Sequence, residues 1–218
     1  MPVSPALVSQ ETRTRDRIVR LAELLYLRGY AHGTTGNISV RLDNGVLVTP
    51  TNSSMGMLEA ERISLVAPDG TLLSGDKPSK ETFLHIAMYE ERESAKAVVH
   101  LHSTHAVAVS ILAATDPDNA LPPLTAYHHM KVGRLPLVPY VRPGDMRLAD
   151  EVRSRAGAHH AMLLANHGPV CAGRSLEDAL AIAEELEETA KLRLLTEGRP
   201  VNALTAAQLA ELDHHFPS

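Results

Sequence analysis

The sequence predicts a mixed α/β domain, with helices packed over a sheet rich in antiparallel strands. Three observations point to it. Short alternating strands come early and are joined by turn residues; apolar residues recur at helical spacing near both ends; and the run "AVVHLHS" in the middle is short and greasy enough for a buried strand. With 218 residues the chain fits one domain over 1–218 and is long enough to bury its own core. Its 21 basic and 26 acidic residues give a net charge of −5, with no dense basic cluster to suit nucleic acid. No apolar run approaches the ~20 residues of a membrane span. The single Cys171 has no partner for an internal disulfide, and no leader-like apolar segment follows a basic start, so a cytoplasmic setting is expected.

Each element follows from local chemistry. Over 11–29, Ile18, Leu21, Ala22, Leu24 and Leu25 fall at helical spacing, and Gly29 is a stop. "NISVRLDNGVLVTP" alternates, breaks at Asp43-Asn44-Gly45 and resumes, as a hairpin does. A second strand pair is expected around Pro68-Asp69-Gly70, ending near Gly75. Ser79 is placed as the N-cap of a helix running to Arg92. A strand over "AKAVVHLHS" leads into a small-residue helix over 104–113. Prolines at 117, 122, 123, 136, 139 and 143 make 115–143 mostly loop, with one short strand at 135–138. Then come a helix in "MRLADEVRSRAG", strands in "AMLLAN" and "GPVCAG", and a long helix from Ser175 with Asp178 in capping-box position. Its buried stripe is Leu176, Leu180, Ala183, Ala190 and Leu194. A short helix and a frayed end are expected over 206–218.

The chemistry concentrates in histidine. Residues two apart in a strand share a face with alpha-carbons about 6.5–7 Å apart, so His100 and His102 project together while Val99 and Leu101 face a core. An isolated HxH is a weak signal, and hydrogen-bonded core histidines are its ordinary explanation. The signal strengthens with His167, at a strand end in "LLANHGPV". Three imidazoles at strand ends suit a Zn²⁺ with one open position, and ligand type alone also admits Mn²⁺ or Co²⁺. His105 falls past the strand, on the next helix, and is left out of the ligand set. Solvent or capping roles are expected for His32, His85, His159, His160, His214 and His215. In "KPSKE", free backbone N–H groups, a hydroxyl and an ammonium suit an anion, with the Glu81 carboxylate beside them; read alone, Glu81 is also an ordinary acidic residue at a helix start. "TTGNIS" and "TPTNSSMG" add further hydroxyls and amides for a phosphate.

Together, in this order, "TTGNISVR", "VTPTN", "KPSKE", "VVHLHS" and "LLANHG" resemble the class II aldolase/adducin family. The resemblance implies a three-layer α/β/α fold with a mainly antiparallel central sheet, assembled as a homotetramer with sites between subunits. It implies Zn²⁺ on His100, His102 and His167, with Glu81 on or near the metal as acid/base. A phosphate pocket falls on Gly36, Asn37, Thr51, Asn52, Ser79 and Lys80; Asn52 and Lys80 depart from the Gly and Ser common in the aldolases. Tyr127 is the candidate for a proton donor reaching a neighbouring subunit, with packing of a loop Tyr on prolines as the alternative. Within the family, Lys80 and the blocks "LPPLTAYHHMKVGRLPLVPY" and "YVRPGD" are most similar to the branch that decarboxylates 3-oxo-tetronate 4-phosphates to dihydroxyacetone phosphate. Aldol cleavage of a ketose 1-phosphate such as fuculose 1-phosphate, and a non-catalytic adducin-like interaction module, are the alternatives.

Overall fold

The computed structural model of the chain describes residues 9–216. Among them, eight strands form one sheet: β1 (Asn37–Leu42), β2 (Gly45–Val48), β3 (Ser64–Val66), β4 (Leu72–Ser74), β5 (Ala97–His100), β6 (Leu137–Val138), β7 (Ala161–Leu164) and β8 (Gly168–Gly173). The spatial order is β4-β3-β2-β1-β5-β8-β7-β6. Every pairing is antiparallel except β6 with β7. The edges are short, since β4 has three residues with a register shift in its pairing and β6 has two.

Because successive strand side chains point to opposite faces, each strand feeds two cores. On one face Leu47, Val99, Leu163 and Cys171 pack with Ile18, Val109, Leu180 and Leu186, which come from α1 (Gln10–Leu27), α3 (Thr104–Ile111) and α6 (Leu176–Leu195). On the other, Val48, Val98, Met162 and Val170 pack with Leu84, Met88, Leu148 and Val152, from α2 (Thr82–Glu91) and α5 (Arg147–Ala156). Helix, sheet and helix thus make the three layers the family resemblance implies.

Several local expectations are corrected. Leu24, one of the apolar residues at helical spacing in α1, is exposed, while Ile18, Ala22 and Leu25 carry the burial. Ser79 does not cap α2: the helix starts at Thr82 with Glu81 in the N-cap position, and Ser79 closes the turn before it, its Oγ accepting the Glu81 N–H and its carbonyl the Thr82 N–H. Those two N–H groups are therefore not free for an anion. The proline-rich segment holds a helix, α4 (Ala126–Lys131), started by the Thr125 side chain, which accepts the His128 N–H. In the last long helix the Ser175 Oγ accepts the Asp178 N–H, but the Asp178 carboxylate takes the Arg174 N–H, so the capping box is half formed. His214 and His215, expected in a frayed tail, instead close α7 (Ala206–His215), a helix with its own capping box; residues 217–218 lie outside the described residues.

Candidate metal centre

Three segments converge at the ends of the central strands. The strand expected over "AKAVVHLHS" is shorter: β5 ends at His100, so His102 lies past the sheet and does not share a strand face with it. His167 sits in the turn between β7 and β8, where Asn166 takes a left-handed φ of 56°, a conformation its short polar side chain tolerates. The next residue has to be glycine, because a Cβ on Gly168 would collide with the Leu101 carbonyl oxygen. That close approach sets His167 against the segment carrying the other two histidines. Gly36 does the same opposite, with φ 77° and the His100 carbonyl where a Cβ would stand. Glu81 arrives from the start of α2, in a segment tied to the end of β2 by Ser79 N–H to the Thr49 carbonyl (3.2 Å) and Thr51 N–H to the Lys77 carbonyl (3.0 Å).

The ligand atoms of Glu81, His100, His102 and His167 all lie within 4.8 Å of one another. His100 donates Nδ1–H to the Pro169 carbonyl (2.8 Å), so its Nε2 lone pair is left facing inward. That Nε2 lies 3.3 Å from Nε2 of His167 and 3.5 Å from Glu81 Oε2, while His167 Nε2 is 3.2 Å from Glu81 Oε1. A buried imidazole whose other nitrogen is already hydrogen-bonded, aimed at a second imidazole and a carboxylate, is the arrangement a divalent cation satisfies. The residues fit such an ion. Burial drives the His100 pKa far down and, with the nearby His167 charge, takes that of His102 to about 4; both are thus kept in the neutral form that ligates. Burial works against ionisation of Glu81, but the His167 hydrogen bond, the neighbouring imidazoles and the Asn37 amide outweigh it and hold the carboxyl well below its usual range.

The centre opens into a cavity of about 210 Å³. Gly36, Asn37, Thr51, Asn52, Ser79 and Lys80 all line it, together with Glu81, His102 and His167. Thr34 and Thr35 of "TTGNIS" and Pro143 of "YVRPGD" line it as well. Asn52 is left-handed, with φ 57°. Tyr127 does not join them: it is 65% exposed on α4. His105, set aside in the sequence, lies on the first turn of α3 with Nδ1 2.8 Å from Glu187.

His85 was misjudged. It is fully buried, not a solvent or capping residue, with Nε2 hydrogen-bonded to Asn37 Oδ1 and Nδ1 2.7 Å from Ser39 Oγ. Asn37 in turn donates Nδ2–H to Glu81 Oε2 at 3.0 Å. The available signal was spacing, since Glu81, His85 and Tyr89 are four apart and share one helix face.

Known proteins resemble the chain over most of its length. A 3-oxo-tetronate 4-phosphate decarboxylase of Escherichia coli (strain K12) is 49% identical over 203 residues, 93% of this chain and 96% of its own. An L-fuculose phosphate aldolase of Haemophilus influenzae is 35% identical over 187 residues, 83% of each chain. The crystal structure of YgbL from Escherichia coli matches with a TM-score of 0.92 at 48% identity, covering 94% of this chain and 99% of that one. The family model for the class II aldolase and adducin N-terminal domain matches residues 16–194, and the chain belongs to that family.

Proposed function

We propose that the protein is a cytoplasmic, metal-dependent carboxy-lyase that converts a 3-oxo-tetronate 4-phosphate into dihydroxyacetone phosphate and CO₂. The observation that carries the substrate is similarity over nearly the whole chain, 49% to the decarboxylase against 35% to the fuculose phosphate aldolase. The ligand set supports the chemistry, because a scaffold has no use for three imidazoles and a carboxylate converging beside a cavity. We assign Zn²⁺ to Glu81, His100, His102 and His167 on donor type, with Mn²⁺ and Co²⁺ as substitutes.

The reaction breaks the bond between C1 and C2. CO₂ leaves, its bonding electrons move toward the C3 carbonyl, and C2 then takes up one proton. The metal supplies Lewis acidity that stabilises negative charge on the carbonyl oxygen. The chain's own residues do the rest. Lys80 and the hydroxyls and amides of Thr51, Asn52, Ser79 and Asn37 line the cavity where the phosphate is to be held, and Gly36 lets that lining close in on the His100 carbonyl. The substrate's carboxylate already carries its charge, so no base is needed to start the cleavage, and Glu81 serves the return of the proton to C2. Tyr127, exposed on α4, is assigned as the partner in that proton return, supplied to the cavity of a neighbouring subunit in a homotetramer.

Product analysis by NMR tests this. Zinc-loaded protein is expected to release CO₂ and dihydroxyacetone phosphate from 3-oxo-tetronate 4-phosphate. Cleavage of fuculose 1-phosphate in place of that reaction would make the chain an aldolase, and absence of stoichiometric metal would favour an interaction module.

A further inference from the structure

Five buried side chains form one hydrogen-bonded row: Glu81, Asn37, His85, Ser39 and Tyr89. Two periodicities mesh to build it. Asn37 and Ser39 are two apart on β1 and rise about 6.6 Å, whereas Glu81, His85 and Tyr89 are four apart on the α2 face and rise about 6 Å per step. Each strand residue therefore lies between two helix residues.

We propose that His85 is a positioning residue for Glu81, acting through Asn37. The inference rests on the reading of Glu81 as a metal-site carboxylate. The row has a single consistent polarity, set at one end. The Glu81 carboxylate only accepts, so Asn37 turns its NH₂ toward Oε2 and its Oδ1 toward His85. Nε2 of His85 must then donate, which leaves Nδ1 bare to accept from the Ser39 hydroxyl at 2.7 Å, and Ser39 accepts from the Tyr89 hydroxyl at 2.8 Å. Burial keeps the ring neutral, with a pKa of about 4, so it holds one proton and one lone pair as the row requires. Without the His85 donor, Asn37 Oδ1 loses its partner and the amide is held by Glu81 alone, so it can swing away from Oε2. That would release the oxygen it now fixes while Oε1 faces His167. Groups that orient metal-site ligands in this way typically cost 10–100-fold in metal affinity or activity when removed.

The test uses full-length protein with three side chains at position 85. His85→Leu keeps the bulk but neither donates nor accepts, while His85→Gln restores an NH₂ for Asn37 and a carbonyl for Ser39. Zinc affinity, measured by competition with a chromophoric chelator, and kcat are each expected to fall about 10–100-fold in His85→Leu with little change in KM, and to return in large part in His85→Gln. Nitrogen-15 spectra of the metal-free wild-type protein are expected to show His85 protonated on Nε2 and bare on Nδ1. The opposite tautomer, or equal zinc affinity and kcat in all three proteins, overturns the assignment. If His85→Leu does not fold, His85→Gln and the tautomer decide: a folded His85→Gln that loses affinity as far as an Asn37→Ala protein sinks the idea. A wild-type protein inactive on 3-oxo-tetronate 4-phosphate, with zinc affinity that still falls in His85→Leu and recovers in His85→Gln, overturns the proposed reaction and upholds the role of His85.

Discussion

His100 and His105 lie in one short run of sequence and face different partners. His100 is buried with its Nε2 aimed at Glu81 and His167, whereas His105 donates to Glu187 on the opposite side of the sheet. His100→Ala is therefore expected to abolish metal content. His105→Ala is expected to keep it and to lower stability by about 1 kcal/mol, the typical worth of one hydrogen bond. Elemental analysis and thermal melting separate the two, and equal metal loss would refute the ligand choice. At this scale the cluster was legible because histidine is rare in apolar runs: His100 and His102 after "AVV", and a histidine between Asn166 and Gly168. His85 was not, because a histidine inside a helix says nothing until its partners on β1 are known. Its link to Glu81 through Asn37 was visible only as a spacing.

α3 shows how one helix can depend on another. Its N-cap residue, Ser103, leaves its own Oγ without a partner among the described residues. The orphan N–H groups of His105 and Ala106 bond instead to the two oxygens of Glu187 on α6, at 2.9 and 2.8 Å. The buried carboxylate lies at the positive end of the α3 dipole, where a negative charge is stabilising. Glu187→Ala strips both acceptors at once and is expected to cost about 2–4 kcal/mol, read as a lower urea midpoint. This contact joins residues some eighty positions apart, and no cap signature in the sequence announces it. Elements built on local rules, such as the hairpin over 37–48 and the stripe of α6, were legible. α4 was not, since six helical residues among prolines carry too little pattern.

The whole molecule carries two cores with a titratable group locked in each region of packing. His85 lies against β1, and the buried His128 lies on α4. Burial, aided at His128 by the charge of His129, lowers both pKa values from 6.5 to about 4. The unfolded chain therefore binds protons that the folded chain refuses, and stability falls as pH drops through this window. Each group is expected to cost about 2 kcal/mol between roughly pH 7 and pH 5, less in a His128→Gln variant by its own share. Melting temperature against pH checks the sign, and a protein more stable at the lower pH would contradict it. At this scale the fold class was readable from strands early and helices after, but strand order was not: placing β5 between β1 and β8 takes long-range pairing that no local pattern encodes.

The two ends of the sheet carry a last consequence. An open sheet presents unpaired backbone groups at its margins, and long flat margins invite another chain to add a strand. Here the margins are a three-residue strand with an irregular register and a two-residue strand. Such margins give a passing chain almost nothing to template on. Growth into fibrils by strand addition is thereby discouraged, and the surface open to other chains is made by helices and loops.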